Sequence, residues 1–332
     1  MVKARKYVVN KHFQGVPKRE DFDIVEYELP NIKNGEILVK VEWVSVDPYM
    51  RAYNSKYKPP YDQFGYQVAV VEDSKDPRYP VGTKVVSHSG WCDYSIIDLN
   101  GKDAADGQVY KLPDLKGLSE SYGVGCVGMH GVTAYLGFLE ICQPKAGETV
   151  VVTGAAGAVG SIVGQIAKIK GCRVIGFAGD DAKVEWLKEI GFDAAINYKT
   201  ADVAAALKEA APKGVDCYFD NVGGELSSTI LYQMNDFGRV AVCGSISAYN
   251  DTGLPQAIIL QPAIVTHQLK IEGFLVWRWL HRFPEALAEL IKWIHSGQLK
   301  PREHVTEGFE NIYDAFIGML NGENVGKAVV KL

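Results

Sequence analysis

Residues 150–168 read VVVTGAAGAVGSIVGQIAK and decide the fold. A run of β-branched residues enters a turn of small residues, and a pattern of helical period leaves it. Gly154, Gly157 and Gly160 stand three apart, as in the turn that lets a pyrophosphate approach a helix N-terminus. Because a second apolar run (172–178) follows where a βαβ unit requires its next strand, a dinucleotide site is predicted rather than a glycine-rich turn of another α/β domain. The residues of this turn that are expected to contact the dinucleotide are Gly157, Ala158, Val159 and Gly160.

Length and composition limit the number of domains, the classes of partner and the cellular location that can be expected. A chain of 332 residues predicts two domains. The net charge of −5 disfavours nucleic acid and anionic membranes as partners, and no apolar run approaches the roughly 20 residues of a membrane span. The N-terminus lacks the apolar core of a secretory signal, and the six scattered cysteines form no C-x-x-C pair. A cytoplasmic protein with reduced thiols is expected.

The pattern of apolar residues changes along the chain. The first ~120 residues are β-rich, with strands predicted at 37–46, 66–71 and 83–87. Strands then alternate with helical patterns, which predicts an α/β fold with a parallel, doubly wound sheet; these strands are at 148–153, 172–178, 193–197, 215–220, 238–243 and 270–276. A helix over 284–295 is expected to end at Gly297, and residues 326–332 are expected to return to the first domain as a strand.

This layout resembles the medium-chain dehydrogenase/reductase superfamily. Within it, separated motifs in matching order resemble the prostaglandin reductase group, which includes leukotriene 12-hydroxydehydrogenases and plant 2-alkenal reductases; the motifs are VDPYMR (46–51), GMHGVTAY (128–135), LEIC (139–142), YFDNVGG (218–224) and GFEN (308–311). The resemblance runs from Val2 to Leu332. It implies a GroES-like, β-rich catalytic domain over 1–122 and 300–332, a Rossmann NADP-binding domain over 123–299, and a homodimer.

The resemblance also implies an activity. It is NADPH-dependent reduction of the carbon–carbon double bond of small enones and enals, as in 15-oxoprostaglandin 13-reductases and 2-alkenal reductases, and oxidation of a leukotriene 12-hydroxyl stays open. A zinc-free quinone oxidoreductase and a non-catalytic, crystallin-like cofactor-binding protein are the alternatives. The loop 251–262 is expected to set the choice between eicosanoids and short enals.

No metal is expected in the site. Where zinc-dependent relatives hold a Cys/His/Cys set, this chain has Asp47, Tyr66 and Met129, with Cys126 three residues from the last. The four cysteines of a structural zinc lobe are absent from the sequence; a displaced site using His12, His88 or His130 is the alternative. Conjugate reduction suits a zinc-free site because hydrogen-bond donors can stabilise the enolate that hydride addition creates.

The resemblance assigns roles near the reacting atoms. It implies that Tyr249 positions the nicotinamide ribose and assists enolate stabilisation or protonation; the alternative is a tyrosine satisfied locally under a loop. Tyr49 and Arg51 are implied substrate-binding residues, although Arg51 could instead pair with Asp47 to fix the turn. His130 could approach the nicotinamide or cap the next helix.

The resemblance also implies further cofactor contacts. Lys183 would bind the 2′-phosphate with Tyr198 as its aromatic partner, and Ala178 stands where an NAD enzyme holds an acid. Asp180 departs from the pattern, because a carboxylate beside a phosphate is unfavourable unless it points away or is neutralised by Lys183. The remaining implied contacts are Asn221, Cys243, Gly244, Ser245, Ile246, Tyr249, Phe274, Leu275, Val276 and Asn324.

Overall fold

The computed structural model describes residues 2–251, 253 and 258–332. In the loop 251–262, which is predicted to select substrates, residues 252 and 254–257 lie outside the described residues, so that prediction is not tested. The chain divides into two compact units. The first comprises Met1–Gly128, Glu303–Asn324 and Ala328–Leu332, and the second comprises Met129–Arg302 and Val325–Lys327.

The strands follow one another along the whole chain. They are β1 (Val2–Val9), β2 (Phe22–Leu29), β3 (Glu36–Ser45), β4 (Tyr61–Asp62), β5 (Gln67–Ser74), β6 (Lys84–Ser87), β7 (Tyr94–Asp98), β8 (Val109–Lys111), β9 (Thr149–Val152), β10 (Arg173–Ala178), β11 (Ala194–Asn197), β12 (Val215–Asp220), β13 (Met234–Val242), β14 (Lys270–Gly273), β15 (Glu303–Glu307) and β16 (Lys327–Lys331).

The helices concentrate in the second unit. They are α1 (Pro48–Ala52), α2 (Lys102–Ala105), α3 (Met129–Gly137), α4 (Gly160–Ile169), α5 (Asp181–Glu189), α6 (Val203–Ala210), α7 (Gly224–Leu231), α8 (Gln261–Thr266), α9 (Phe283–His295) and α10 (Ile312–Leu320). None of those in the described residues is long and apolar enough to cross a membrane.

The second unit is built on a parallel sheet of order β11-β10-β9-β12-β13-β14. Its central strand β9 reads TVVV and is buried throughout, as expected for a parallel strand covered on both faces. The order reverses between β9 and β12, so a crevice opens there at the carboxyl ends of the strands. The predicted doubly wound α/β sheet is confirmed.

Two strands of this sheet differ by more than two residues from their predicted bounds. β13 begins at Met234 rather than 238, because a bulge over 235–238 interrupts its pairing with β12 without ending the strand. Phe237 in this bulge has φ +62° and is 64% exposed. The turn-forming residues around it, Asn235, Asp236 and Gly238, made the stretch resemble a turn in the sequence. β14 ends at Gly273 rather than 276, and Phe274 beyond it packs against the rings of Phe219 and Trp279.

The first unit is a β-structure with its own core. One sheet has the order β15-β16-β3-β5-β6-β8, and β7 pairs with the first half of β3; a smaller sheet has the order β2-β1-β4. β16 pairs antiparallel with β3, Val329 opposite Ser45. Trp91, Tyr7 and Phe316 are fully buried between these elements, and their rings meet edge to face.

Candidate functional site

The glycine turn joins β9 to α4 at the crevice. A Cβ on Gly160 would lie 2.3 Å from the carbonyl oxygen of Gly154 and 2.9 Å from the Cα of Ala155, so only glycine fits there. Gly154 has φ +58°, and the backbone from Gly157 to Val159 is partly exposed. The first amides of α4 donate to carbonyls of the preceding turn, Ser161 N–H to Gly157 and Ile162 N–H to Val159 at 3.1 Å each, and the helix dipole favours negative charge at this end. The turn therefore fits a pyrophosphate.

A cationic cluster lies at the next strand end, beyond β10. The Lys183 side chain is only 12% exposed, and a Cβ on Gly179 would lie 3.1 Å from the Tyr198 hydroxyl and 3.2 Å from Cε of Lys199. Burial lowers the pKa of Lys183, Asp180 raises it in part, and Lys199 lowers it further. Two ammonium groups and a phenol around a glycine backbone fit a phosphate dianion.

Asp180 performs a local task in this cluster. Its Oδ1 accepts the backbone N–H of Lys183 at 2.9 Å, which makes Asp180 the N-cap of α5. Its Oδ2 lies 3.7 Å from Lys183 Nζ. The carboxylate is thus held by the helix end and by the Lys183 ammonium group. Neutralisation by Lys183 is one of the two conditions under which Asp180 is compatible with a nearby phosphate.

Asn221 lies directly after β12, across the crevice from the glycine turn. Its side-chain amide donates to the carbonyl oxygen of Thr153 at 2.7 Å, and its backbone N–H donates to Thr153 Oγ1 at 3.1 Å. Thr153 immediately precedes Gly154. The end of β12 is therefore joined directly to the glycine turn.

The segment after β13 closes the same edge of the sheet. The Tyr249 hydroxyl accepts the backbone N–H of Ser245 at 3.3 Å, and a Cβ on Gly244 would lie 2.9 Å from this hydroxyl. The Tyr249 phenol thus lies against the Gly244–Ser245 backbone. Ile246 N–H donates to the Asn221 carbonyl at 3.2 Å, and burial, aided by Asp220, raises the pKa of Cys243 to about 12.

The other implied cofactor residues occupy different environments. Phe274 packs its ring where a Cβ on Gly137 of α3 would lie, Leu275 is 61% exposed, and Val276 is buried. Asn324 precedes β16 and belongs to the first unit. The roles of all the implied cofactor residues stay predictions. His130 is buried in the first turn of α3.

Tyr49 belongs to an aromatic group in the first unit. Its hydroxyl lies 3.4 Å from His88 Nε2, and its ring stacks on Phe64 at 5.9 Å. Burial raises the pKa of Tyr49, and Asp47 raises it further. Burial lowers the pKa of His88 below its ordinary 6.5, despite opposing effects of Asp103 and Asp47. The imidazole facing Tyr49 is therefore neutral at pH 7.

Arg51 contacts the loop after β1. Its Nε donates to the Gly15 carbonyl at 3.0 Å, its guanidinium lies 5.9 Å from the Phe13 ring, and burial lowers its pKa. Asp47 accepts a 2.5 Å hydrogen bond from the Ser45 hydroxyl. Within the described residues, no group of three or more His, Cys, Asp or Glu side chains could hold a metal ion.

Sequence reasoning assigned no cofactor or substrate role to Lys199, His88 or Phe64, and considered His88 only as a ligand of a displaced zinc site. Lys199 directly follows Tyr198, so a search for cations beside the assigned aromatic residue could have found it. The spacing of aromatic residues after α1 was a second signal, because tyrosines recur every four residues at 49, 53, 57 and 61. His88 is far from them in sequence and gave no such signal.

Comparisons with known proteins identify the family. Residues 5–104 match the model described as the N-terminal domain of oxidoreductase, and residues 158–293 match the model described as zinc-binding dehydrogenase. The chain is 50% identical to prostaglandin reductase 1 of Bos taurus over 100% of both chains. It is 39% identical to the NADP(+)-dependent 2-alkenal reductase of Nicotiana tabacum, over 99% of this chain and 97% of that protein.

A solved structure agrees with these relatives. CurA from Vibrio vulnificus in complex with NADPH superposes with a TM-score of 0.89 at 38% identity, over 98% of each chain. Full-length identity of this size, on the observed sheet order and glycine turn, confirms the resemblance seen in the separated sequence motifs. The chain belongs to the prostaglandin reductase and 2-alkenal reductase group of the medium-chain dehydrogenase/reductase superfamily.

Proposed function

We propose that this protein is an NADPH-dependent reductase of the carbon–carbon double bond in α,β-unsaturated ketones and aldehydes. The observation that carries the proposal is the buried Lys183 beside Tyr198 and Lys199 at the end of β10, next to a glycine turn that fits a pyrophosphate. The relatives named as NADP-dependent reductases support the same cofactor and reaction.

The second unit would hold NADPH along the carboxyl edge of its sheet. The turn from Gly157 to Gly160 would take the pyrophosphate, and Lys183 with Tyr198 would take the 2′-phosphate. Asn221 and the segment from Cys243 to Ile246 are proposed contacts nearer the nicotinamide, with Phe274, Leu275, Val276 and Asn324 as further contacts. When bound, NADPH supplies the hydride that adds to the β-carbon of the substrate.

Tyr249 is the proposed catalytic residue. Hydride addition moves negative charge to the carbonyl oxygen, and a phenol O–H directed at that oxygen stabilises the enolate more than the ground state. Tyr49 and Arg51 are proposed substrate-binding residues of the first unit. No metal is part of the proposal, since Asp47 and Tyr66 stand where the zinc-dependent relatives hold ligands; activity is expected to survive exhaustive chelation.

A substrate panel tests the reaction. The purified protein is incubated with NADPH and 15-oxoprostaglandin, 4-hydroxynonenal, short alkenals or a naphthoquinone, and the products are identified by mass spectrometry. We expect saturated ketones and aldehydes from the first three classes. Turnover of the quinone alone would make the protein a quinone oxidoreductase. Tight NADPH binding without turnover of any compound would favour a non-catalytic protein.

We also propose a cytoplasmic homodimer that forms through the β14 edge of the parallel sheet. An edge strand presents unpaired backbone groups, and exposed apolar side chains surround this one: Ile258, Ile259, Val265, Ile271 and Leu275. Ile271→Lys is expected to give a monomer in sedimentation velocity. The matched control is Val81→Lys in the first unit, which replaces a side chain that is 66% exposed. A wild-type monomer would contradict the proposal.

A further inference from the structure

A buried carboxylate lies at the end of β12, between the loops of the crevice. Asp220 is 3% exposed and accepts four hydrogen bonds. Its Oδ1 accepts from Thr153 Oγ1 at 3.0 Å and from the backbone N–H groups of Val222 and Gly223 at 2.9 Å each; its Oδ2 accepts from Ser227 Oγ at 2.6 Å. A buried carboxylate is costly unless donors surround it, so these bonds are mutually dependent.

The same residue joins the loops after three strands. The Asp220 carbonyl accepts the N–H groups of Cys243 at 2.8 Å and Gly244 at 3.2 Å. Through its side chain it holds Thr153, which in turn holds both the backbone and the side chain of Asn221. One buried group therefore links the segments after β9, β12 and β13.

The direction of these bonds is fixed. Thr153 Oγ1 donates its proton to the Asp220 carboxylate and accepts the Asn221 N–H, and it also lies 3.3 Å from the Tyr218 hydroxyl. The Val222 and Gly223 amides point at the same carboxylate, and Gly223 and Gly224 then take φ values of +70° and +65°. The charge of Asp220 thus shapes the turn that carries Asn221.

We propose that Asp220, acting through Thr153, is a positioning residue for hydride transfer. It holds the Asn221 amide and the Cys243–Tyr249 segment in the arrangement that NADPH and the substrate require. The inference rests on the proposed reductase function for its kinetic consequences only. Its structural and binding consequences are measured without turnover.

The test compares the contacts of two carboxylates at opposite ends of β12, Asp220 and Asp216. Thr153→Val removes the hydroxyl that links Asp220 to Asn221 while keeping the side-chain shape, and Thr153→Ser restores the hydroxyl. The matched control is Asp216→Asn, near the amino end of β12, whose carboxylate accepts from Thr149 N–H and Asn235 Nδ2 at 2.8 Å each. Asp220→Ala is made as well, and Thr153→Val keeps the test valid where that variant does not fold.

Thr153→Val is expected to weaken NADPH binding, measured by tryptophan fluorescence, by about tenfold, as for the loss of one or two buried hydrogen bonds. Amide exchange at 221–223 should accelerate in the protein without cofactor. With NADPH deuterated at the transferred position, the isotope effect on kcat should rise, because poor alignment makes hydride transfer rate-limiting. Thr153→Ser should return all three values toward wild type.

Asp216→Asn should lower the melting temperature without changing NADPH affinity or the isotope effect. The proposal is overturned where Thr153→Val lowers stability but leaves NADPH affinity, amide exchange and the isotope effect at wild-type values. It is also overturned where Asp216→Asn changes them equally. A wild type that reduces no enone refutes the proposed function alone, because NADPH affinity and amide exchange still decide the role of Asp220.

Discussion

At the scale of single residues, Lys183 combines burial with positive charge. Its side chain is 12% exposed, the Asp180 carboxylate lies 3.7 Å from its ammonium group, and the same carboxylate also caps α5. A cation held in this way gains from a bound dianion, because the phosphate replaces hydration that burial has already removed. The cap keeps Asp180 at the helix end, so its negative charge and the phosphate can be accommodated together.

The first prediction concerns cofactor choice. The wild type should favour NADPH over NADH by at least ~10-fold in kcat/KM, about 1.4 kcal/mol, and Lys183→Ala should remove most of this preference. The control is Lys188→Ala on the same helix, where an exposed lysine pairs with Glu185 at 2.7 Å. Equal use of both cofactors by the wild type would show that Asp180 cancels the contribution of Lys183.

The second prediction follows from the pKa of Lys183, which burial lowers from its ordinary 10.5. A lysine is charged below its pKa, so the preference for NADPH should be complete only below the lowered pKa of Lys183. It should decline as the pH rises through the lowered pKa of the free enzyme, before reaching about 10.5. The measurement is kcat/KM for both cofactors against pH. A preference that is constant to the highest pH at which the protein stays folded would contradict the assignment.

The third prediction concerns Tyr249. Tyr249→Phe keeps the ring against Gly244 and removes the hydroxyl, which should lower kcat by about 10- to 10³-fold if the phenol stabilises the enolate. NADPH affinity should change much less. Tyr232→Phe is the control, since that hydroxyl donates to the Ile259 carbonyl at 2.7 Å. A large loss of NADPH affinity with kcat preserved would instead assign Tyr249 to cofactor binding.

At the scale of elements, the parallel sheet could be predicted well because its strands are buried apolar runs. The predicted strand at 148–153 is observed as Thr149–Val152, and that at 172–178 as Arg173–Ala178. The first unit was harder to divide, since strands such as β1 (VKARKYVV) carry charged residues on their exposed side. The one-turn π-helix at Phe138–Cys142 gave no signal, because it extends α3 through an ordinary apolar sequence.

The fourth prediction concerns the ion pair between a residue of β13 and the residue before β9. Arg239 of β13 pairs with Glu148 before β9 at 2.6 Å, and also donates to the Cys142 carbonyl. Burial alone would raise the pKa of Glu148, but the bonds from Arg239 and from Lys145 N–H lower it overall below 4.5. Glu148→Gln should therefore reduce the free energy of unfolding by about 1–3 kcal/mol at pH 7.

The pH dependence of this loss has a definite sign. Because the folded-state pKa of Glu148 is depressed, its contribution is complete above about pH 4.5 and disappears as the pH falls through the folded-state value. Denaturant unfolding of wild type and variant should converge in acid. Glu185→Gln, in an exposed pair, should cost less than about 0.5 kcal/mol. If the free energies of unfolding of wild type and Glu148→Gln differ by the same amount in acid as at pH 7, the electrostatic explanation is wrong.

At the scale of the whole molecule, the order of the segments along the chain predicted the family, which no single site could have done. The order of β-rich front, glycine turn and returning tail led to the family, and the sheet order and the relatives confirm it. The residues around the proposed cofactor site were predictable where they follow a strand directly, as Asn221 does. The contacts that hold them, such as Thr153 with Asp220, join positions 67 residues apart and could not be derived from periodicity.

The last prediction uses the stability of the whole protein to measure cofactor binding without any substrate. A ligand that binds only the folded state stabilises it by RT ln(1 + [L]/Kd), about 2.7 kcal/mol at a hundredfold excess over Kd. At about 2–4 °C per kcal/mol for a domain of 150–250 residues, NADPH should raise the melting temperature of the unit that holds it by about 5–10 °C in calorimetry. NADH at the same concentration should give a smaller shift, and Lys183→Ala should bring the two shifts together. If the two units melt separately, only the transition of the second unit should move. Identical shifts for both cofactors in the wild type would show that the lysine cluster does not recognise the 2′-phosphate.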